Sequence, residues 1–131
     1  MSNLLNYATE VLLILFLAIT FGQSGYDKLV DWKGNIAWLK GHFSATPVKN
    51  KVPLLLGIVL ISEIVVALLC IGAIYGVIAD GNTSFAFYTG IASCITLLQL
   101  LFGQRIAKDF DGARTIAIYF IPAILLVFIT Q

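Results

Sequence analysis

Phe21-Gly22-Gln23-Ser24-Gly25-Tyr26-Asp27-Lys28-Leu29 is the stretch on which the reading of this chain turns. Before it, Val11 to Phe21 is almost wholly apolar. After it, Lys, Asp, Trp, His and Asn break the hydrophobicity as far as residue 52, and three more long apolar runs follow. The stretch therefore reads as the seam where a first transmembrane helix leaves the bilayer and sets polar groups at one end of a four-helix bundle.

Composition fixes the solvent. The 131 residues are 60% hydrophobic and 11% charged, with a mean hydropathy of +0.96. A soluble domain carries about 25% charged residues, so this chain lacks the polar surface to cover a globule in water. A lipid bilayer is the expected surrounding. The length suits one transmembrane domain over residues 1–131. A net charge of +1 argues against a nucleic-acid partner, which calls for a basic stripe.

Four spans are expected, over residues 7–28, 53–79, 84–105 and 113–130. Crossing a hydrocarbon core of ~30 Å takes about 20 residues, and each run is near that length. Residues 1–7 read as a polar lead. No basic n-region or A-x-A-like site marks a cleavable signal, so the first span is expected to be retained. Between the first two spans, Trp32, Ile36, Leu39 and Phe43 recur at roughly helical spacing, with Lys33 and Lys40 on another face. Residues 31–43 thus read as a short amphipathic helix in the interface, with Trp32 and Trp38 as its lipid anchors. Pro53 suits the first turn of the second span, and Pro122 is a candidate kink in the last. Asp80-Gly81-Asn82 is a tight turn, which makes spans two and three antiparallel neighbours. Ala18-x-x-x-Gly22 and Gly72-x-x-x-Gly76 are candidate sites of close helix approach.

Charge orients the bundle. All eight basic residues fall in two groups: Lys28, Lys33, Lys40, Lys49 and Lys51, and then Arg105, Lys108 and Arg114. With four spans both groups lie on one side. The positive-inside rule puts the connectors 29–52 and 106–112 in the cytoplasm. Both termini are then outside, periplasmic if the membrane is a bacterial inner membrane.

Polar residues inside the spans mark the candidate site. Glu63 is the only acidic residue deep in an apolar run. It lies about ten residues from the cytoplasmic end of its span, roughly 15 Å. An acidic group there costs at least ~2.5 kcal/mol on insertion scales. It must therefore face the bundle interior and be protonated or paired. Lys28 is the nearest cation, and Gln23, Gln99 and Tyr119 are candidate hydrogen-bond partners. Ser24 stands beside them, and Thr20 supplies a further hydroxyl. One reading is a proton-handling or headgroup-binding carboxylate under a pocket that opens to the cytoplasm. The other is a polar clamp between helices. His42 is alone, with no second ligand at metal spacing; it is a surface residue or a proton-exchange group at the pocket mouth. Cys70 and Cys94 flank the Asp80 turn at similar depth. They could meet, but buried thiols commonly serve as packing. No CxxC or zinc-type spacing occurs, and no metal site is expected.

Ser24-Gly25-x-x-Lys28-Leu29 at the end of a first span, with an amphipathic segment after it, resembles the DoxX family of small four-span membrane proteins. The second span adds Ile61-Ser62-Glu63-Ile64 and Leu68-Leu69 between Gly57 and Gly72, similar to that family's glutamate-bearing helix. The resemblance implies a prokaryotic inner-membrane protein associated with quinone or with a membrane redox complex. Quinone is the cofactor it suggests, with partner subunits or a homo-oligomer around it. The alternatives are a binder or carrier of lipids or lipophilic small molecules, and a structural subunit. Sequence assigns no catalytic group.

Overall fold

The computed structural model describes residues 2–131. Among them the chain is helical throughout, with no strand: α1 Ser2–Asn6, α2 Ala8–Val30, α3 Trp32–His42, α4 Val52–Asp80, α5 Ser84–Ile106 and α6 Phe110–Thr130. A single 3-10 turn, Lys49–Lys51, leads into α4. The four long helices have 23, 29, 23 and 21 residues. Even the shortest rises about 32 Å at ~1.5 Å per residue, which spans a bilayer core of ~30 Å. All four are apolar enough to cross a membrane.

The bundle is a ring in which α4 packs on α2 and α5, and α5 packs on α6. The α2–α6 contact that closes the ring is thinner. Each helix buries a narrow stripe. On α4 it runs Val52, Leu56, Leu60, Glu63, Val66, Cys70, Ala73, Val77, at steps of three and four residues. That spacing keeps one face toward neighbours that cross at a shallow angle. On α2 the stripe is Val11, Ile14, Leu17, Phe21, Gly25. The remaining faces carry exposed aliphatic and aromatic side chains such as Leu12, Ile19, Leu68, Ile71 and Phe128. So much contiguous apolar surface is untenable in water, and the protein is a multi-pass membrane protein.

Several sequence expectations need revision. Residues 2–6 are helical rather than a loose polar lead, and Asn3 Nδ2 donates to the Ile78 carbonyl at 3.1 Å, tying the N-terminus to the end of α4. The last connector is shorter than 106–112. Asp109 caps α6 by accepting from Gly112 N at 3.0 Å, so Phe110, Asp111 and Gly112 form the first turn of the helix. Pro122 lies within a continuous α6. Gly22 faces open space, so the Ala18–Gly22 step hosts no close helix approach. Gly72 faces the Phe85 ring, and Gly76 lies beneath the Asn82 carbonyl at the turn. The tightest helix crossing is elsewhere, at Gly90. A Cβ there would stand 2.8 Å from Val127 Cγ2 and 3.1 Å from Val127 N.

The turn after α4 shows why Gly81 is needed. Its φ is +64°, a left-handed conformation that costs a residue with a Cβ. That geometry turns Asn82 N back to the Gly76 carbonyl at 3.0 Å. Asn82 Oδ1 then accepts from Ser84 N at 2.8 Å as α5 begins.

Candidate functional site

The buried stripe of α2, extended by one step of three from Gly25, arrives at Lys28. The stripe of α4 carries Glu63 opposite it. Gly25 leaves the gap: a Cβ there would lie 3.9 Å from Glu63 Cβ and from Leu60 Cδ1. Across this contact Lys28 Nζ stands 2.8 Å from Glu63 Oε1. The Glu63 side chain is wholly buried, and that of Lys28 is 16% exposed. Lys28 also donates to Ser24 Oγ at 2.6 Å, one turn back on the same helix, α2. Ser24 thus steers the ammonium toward α4, as an i,i+4 neighbour can.

Distance and hydrogen bonding differ at this pair. The two charges are in contact, yet neither Glu63 oxygen has an aligned hydrogen-bond donor. The contact distance governs the Coulomb attraction, so the pair is an ion pair, but the carboxylate keeps unused acceptor capacity in a buried place. Buried carboxylates ordinarily fill such capacity. Removing the cation from a pair like this costs about 3–5 kcal/mol, because a lone charge is left in the interior.

Beside the pair lies a cavity of about 460 Å³ between α3, α4 and α5. Lys28 lines it and Glu63 does not, so the lysine forms the boundary between cavity and carboxylate. The other polar lining residues are Asn35, His42, Gln99 and Gln104. Leu55, Ile58 and Phe102 line the same cavity while being exposed on the outer surface. The cavity therefore opens sideways, where lipid would be. Helix α3 closes its end. Asp31 caps that helix by accepting from Gly34 N at 3.2 Å, and Asn35 Nδ2 donates to the Asp31 carbonyl at 2.7 Å. Trp32 packs over Gly57 of α4 instead of pointing into lipid, and only Trp38 is broadly exposed.

At the far end of α3, His42 Nε2 lies 3.3 Å from Gln104 Oε1 and 3.7 Å from Asp109 Oδ2. The His42 ring stacks on Trp38, with centroids 4.6 Å apart. His42 is thus a latch between α3 and α5 rather than a free surface residue.

The candidates named from sequence separate into three groups. Lys28, Ser24 and Glu63 meet. Gln99 lines the cavity, but its Oε1 accepts from Ser62 Oγ at 3.3 Å, and it does not bond Glu63. Gln23 and Tyr119 lie apart from the site. Gln23 is exposed on the outer face of α2, two residues from both Phe21 and Gly25 of the buried stripe. Tyr119 packs edge-on against Phe16 at 6.1 Å, on the α2–α6 side. Thr20 bonds the Phe16 carbonyl of its own helix. Sequence reasoning missed Asn35, Ser62, Gln104 and Asp109. The i+4 step from Asp31 to Asn35 was available as a signal. The meeting of Gln104 with His42, 62 residues apart, was not. Cys70 and Cys94 are both buried and unbonded. Among the described residues no group of His, Cys, Asp and Glu is arranged to hold a metal ion.

No family model, curated protein or solved structure matches this chain. The site must be read from its own chemistry.

Proposed function

We propose that this is a DoxX-like, multi-pass inner-membrane protein whose lateral cavity binds a lipophilic small molecule by its polar head. One observation carries the reading. The cavity has Lys28 and Gln99 as hydrogen-bond donors at its inner end, Gln104 toward its outer end, and apolar walls that open to the outside between α4 and α5. A site with a few convergent polar groups and otherwise apolar walls is the usual form of a small-molecule pocket. Its lining holds no carboxylate, so the chemistry favours a head that accepts hydrogen bonds.

Within that class, a quinone is the ligand that the DoxX resemblance supports. Its two carbonyl oxygens would accept from Lys28 and Gln99, and its isoprenoid tail would leave through the lateral opening. The protein would then act as an accessory subunit of a membrane redox complex. The positive-inside distribution supports a cytoplasmic position for the cavity and periplasmic termini.

The test is chemical. Protein purified in mild detergent is extracted with organic solvent, and the extract is analysed by mass spectrometry. A quinone or another amphiphile at close to one per chain, lost in Lys28→Met, is the expected result. A stoichiometric partner protein with no bound amphiphile would instead make the chain a structural subunit.

A further inference from the structure

The Lys28–Glu63 pair has a property that a neutral ligand does not use. Lys28 is shared between two places: it contacts the carboxylate behind it, and it lines the cavity in front. Glu63 has no second partner. Its two oxygens are buried and accept no hydrogen bond, and among the described residues no other basic group makes an ion pair with it. We propose that the cavity binds an anionic amphiphile together with one proton, the anionic head taking Lys28 and the proton neutralising Glu63. This rests on the amphiphile-binding reading above and names the ligand's charge.

Charge balance drives the coupling. Before binding, one ammonium and one carboxylate sum to zero. An anionic head arriving at Lys28 would leave the site with an excess negative charge in a region shielded from water. A buried, uncompensated carboxylate neutralises rather than remain charged. One proton from solvent adds to one Glu63 oxygen, and the sum returns to zero. No bond breaks except that of the proton to its donor water or buffer.

The other charged groups near the site leave this balance in place. From α2 only Lys28 reaches Glu63; Ser24 is neutral. From α5 the groups at the cavity are Gln99 and Gln104, which do not titrate. From α3 and the last connector come His42 and Asp109, 3.7 Å from each other at the outer end. Arg105 lies over the Phe110 ring and is not part of the lining.

The test uses the full chain in phosphatidylcholine nanodiscs, with hexadecanesulfonate as a probe whose head is anionic at every pH used. Binding is read from Trp38, which lines the cavity, in a Trp32→Phe background. Proton uptake is read in weakly buffered solution with a pH indicator. Wild-type protein is expected to take up one proton per probe bound, and its affinity to fall by about tenfold per pH unit as pH rises. In Glu63→Gln, binding persists with no proton uptake and no pH slope. A neutral short-chain quinone should bind without protons.

Sulfonate binding with no proton taken up by the wild-type protein overturns the proposal, whatever the variants do. Quinone binding with no sulfonate binding also overturns it and leaves the broader ligand-binding reading standing. Failure of both probes overturns both. Adding phosphatidylglycerol to the nanodiscs distinguishes the source of the anion: competition with the probe assigns it to bilayer lipid, and its absence to a free single-chain anion.

Discussion

The two ends of this bundle are built by opposite rules. At the end with the Gly81 turn and the C-terminus, helices approach as closely as their backbones allow. Gly90 meets the Val127 backbone, and α5 buries Ala86, Thr89, Ser93 and Cys94, all small. The Thr89 and Ser93 hydroxyls turn back to carbonyls four residues earlier, at 2.6 and 2.7 Å. They ask nothing of a neighbour. At the charged end the helices separate, a cavity opens, and polar groups meet between helices: Lys28 with Glu63 as an ion pair, and Ser62 with Gln99 and His42 with Gln104 by hydrogen bonds. The same four helices thus give a sealed half, whose order comes from packing, and an open half, whose order comes from a few charges.

If that division is right, the largest single effect should come from unpairing the open half. Lys28→Met keeps most of the length of the side chain and removes its charge. The expected loss is about 3–5 kcal/mol if Glu63 stays ionised. Adding Glu63→Leu should recover most of it, since a buried pair replaced by apolar groups is often neutral or better. Thermal unfolding of the purified protein in detergent, run as a double-mutant cycle, reads both. Two losses that simply add would mean that the residues do not act as a pair.

The sealed half should answer to size alone. Gly90→Val places methyl groups where Val127 already stands, and overpacking of this kind costs about 1–3 kcal/mol. Truncating the opposing side chain as well, with Val127→Ala, should relieve part of that cost. Ligand binding at the other end should be unchanged in this variant at temperatures where it remains folded. A change in ligand affinity equal to that in Lys28→Met would join the two halves into one unit and dissolve the comparison.

The open half was also the more legible one in sequence, for a physical reason. Charge inside an apolar run is expensive, so Glu63 had to be buried against something, and Lys28, at the end of the first span on the same side, is the nearest cation. Four spans and an amphipathic connector follow from hydropathy and spacing alone. The sealed half was misread because small residues carry weak signals. Gly72 and Gly76 made the better motif by spacing, but Gly90, Thr89 and Ser93 sit on the helix whose two neighbours are both close. That depends on the ring order α2–α4–α5–α6, which no local pattern encodes. Gln23 was misplaced for a related reason. It neighbours Ser24 in sequence, but one residue on a helix is a rotation of about 100°, enough to carry it from the site to the outer face.

The smallest expected effect concerns how α3 closes the cavity. That helix has no buried residue, so little apolar packing holds it. Its fixed points are Trp32 over Gly57 at one end and the His42–Gln104 bond at the other. His42→Phe retains a ring to stack on Trp38 but removes the bond to Gln104. A net hydrogen bond contributes about 0.5–1.5 kcal/mol, so local opening of α3 should become roughly two- to tenfold more frequent. Hydrogen exchange of the 32–42 amides should accelerate by that factor, while amides in the middle of α4 and α5 keep their rates. The latch lies at the outer end of the cavity, away from Lys28. Ligand should therefore enter and leave faster with little change in affinity, because the opened lid lowers the barrier in both directions. Were affinity to fall as steeply as the exchange rates rose, the α3 side chains that line the cavity would carry much of the binding energy rather than only enclose the ligand.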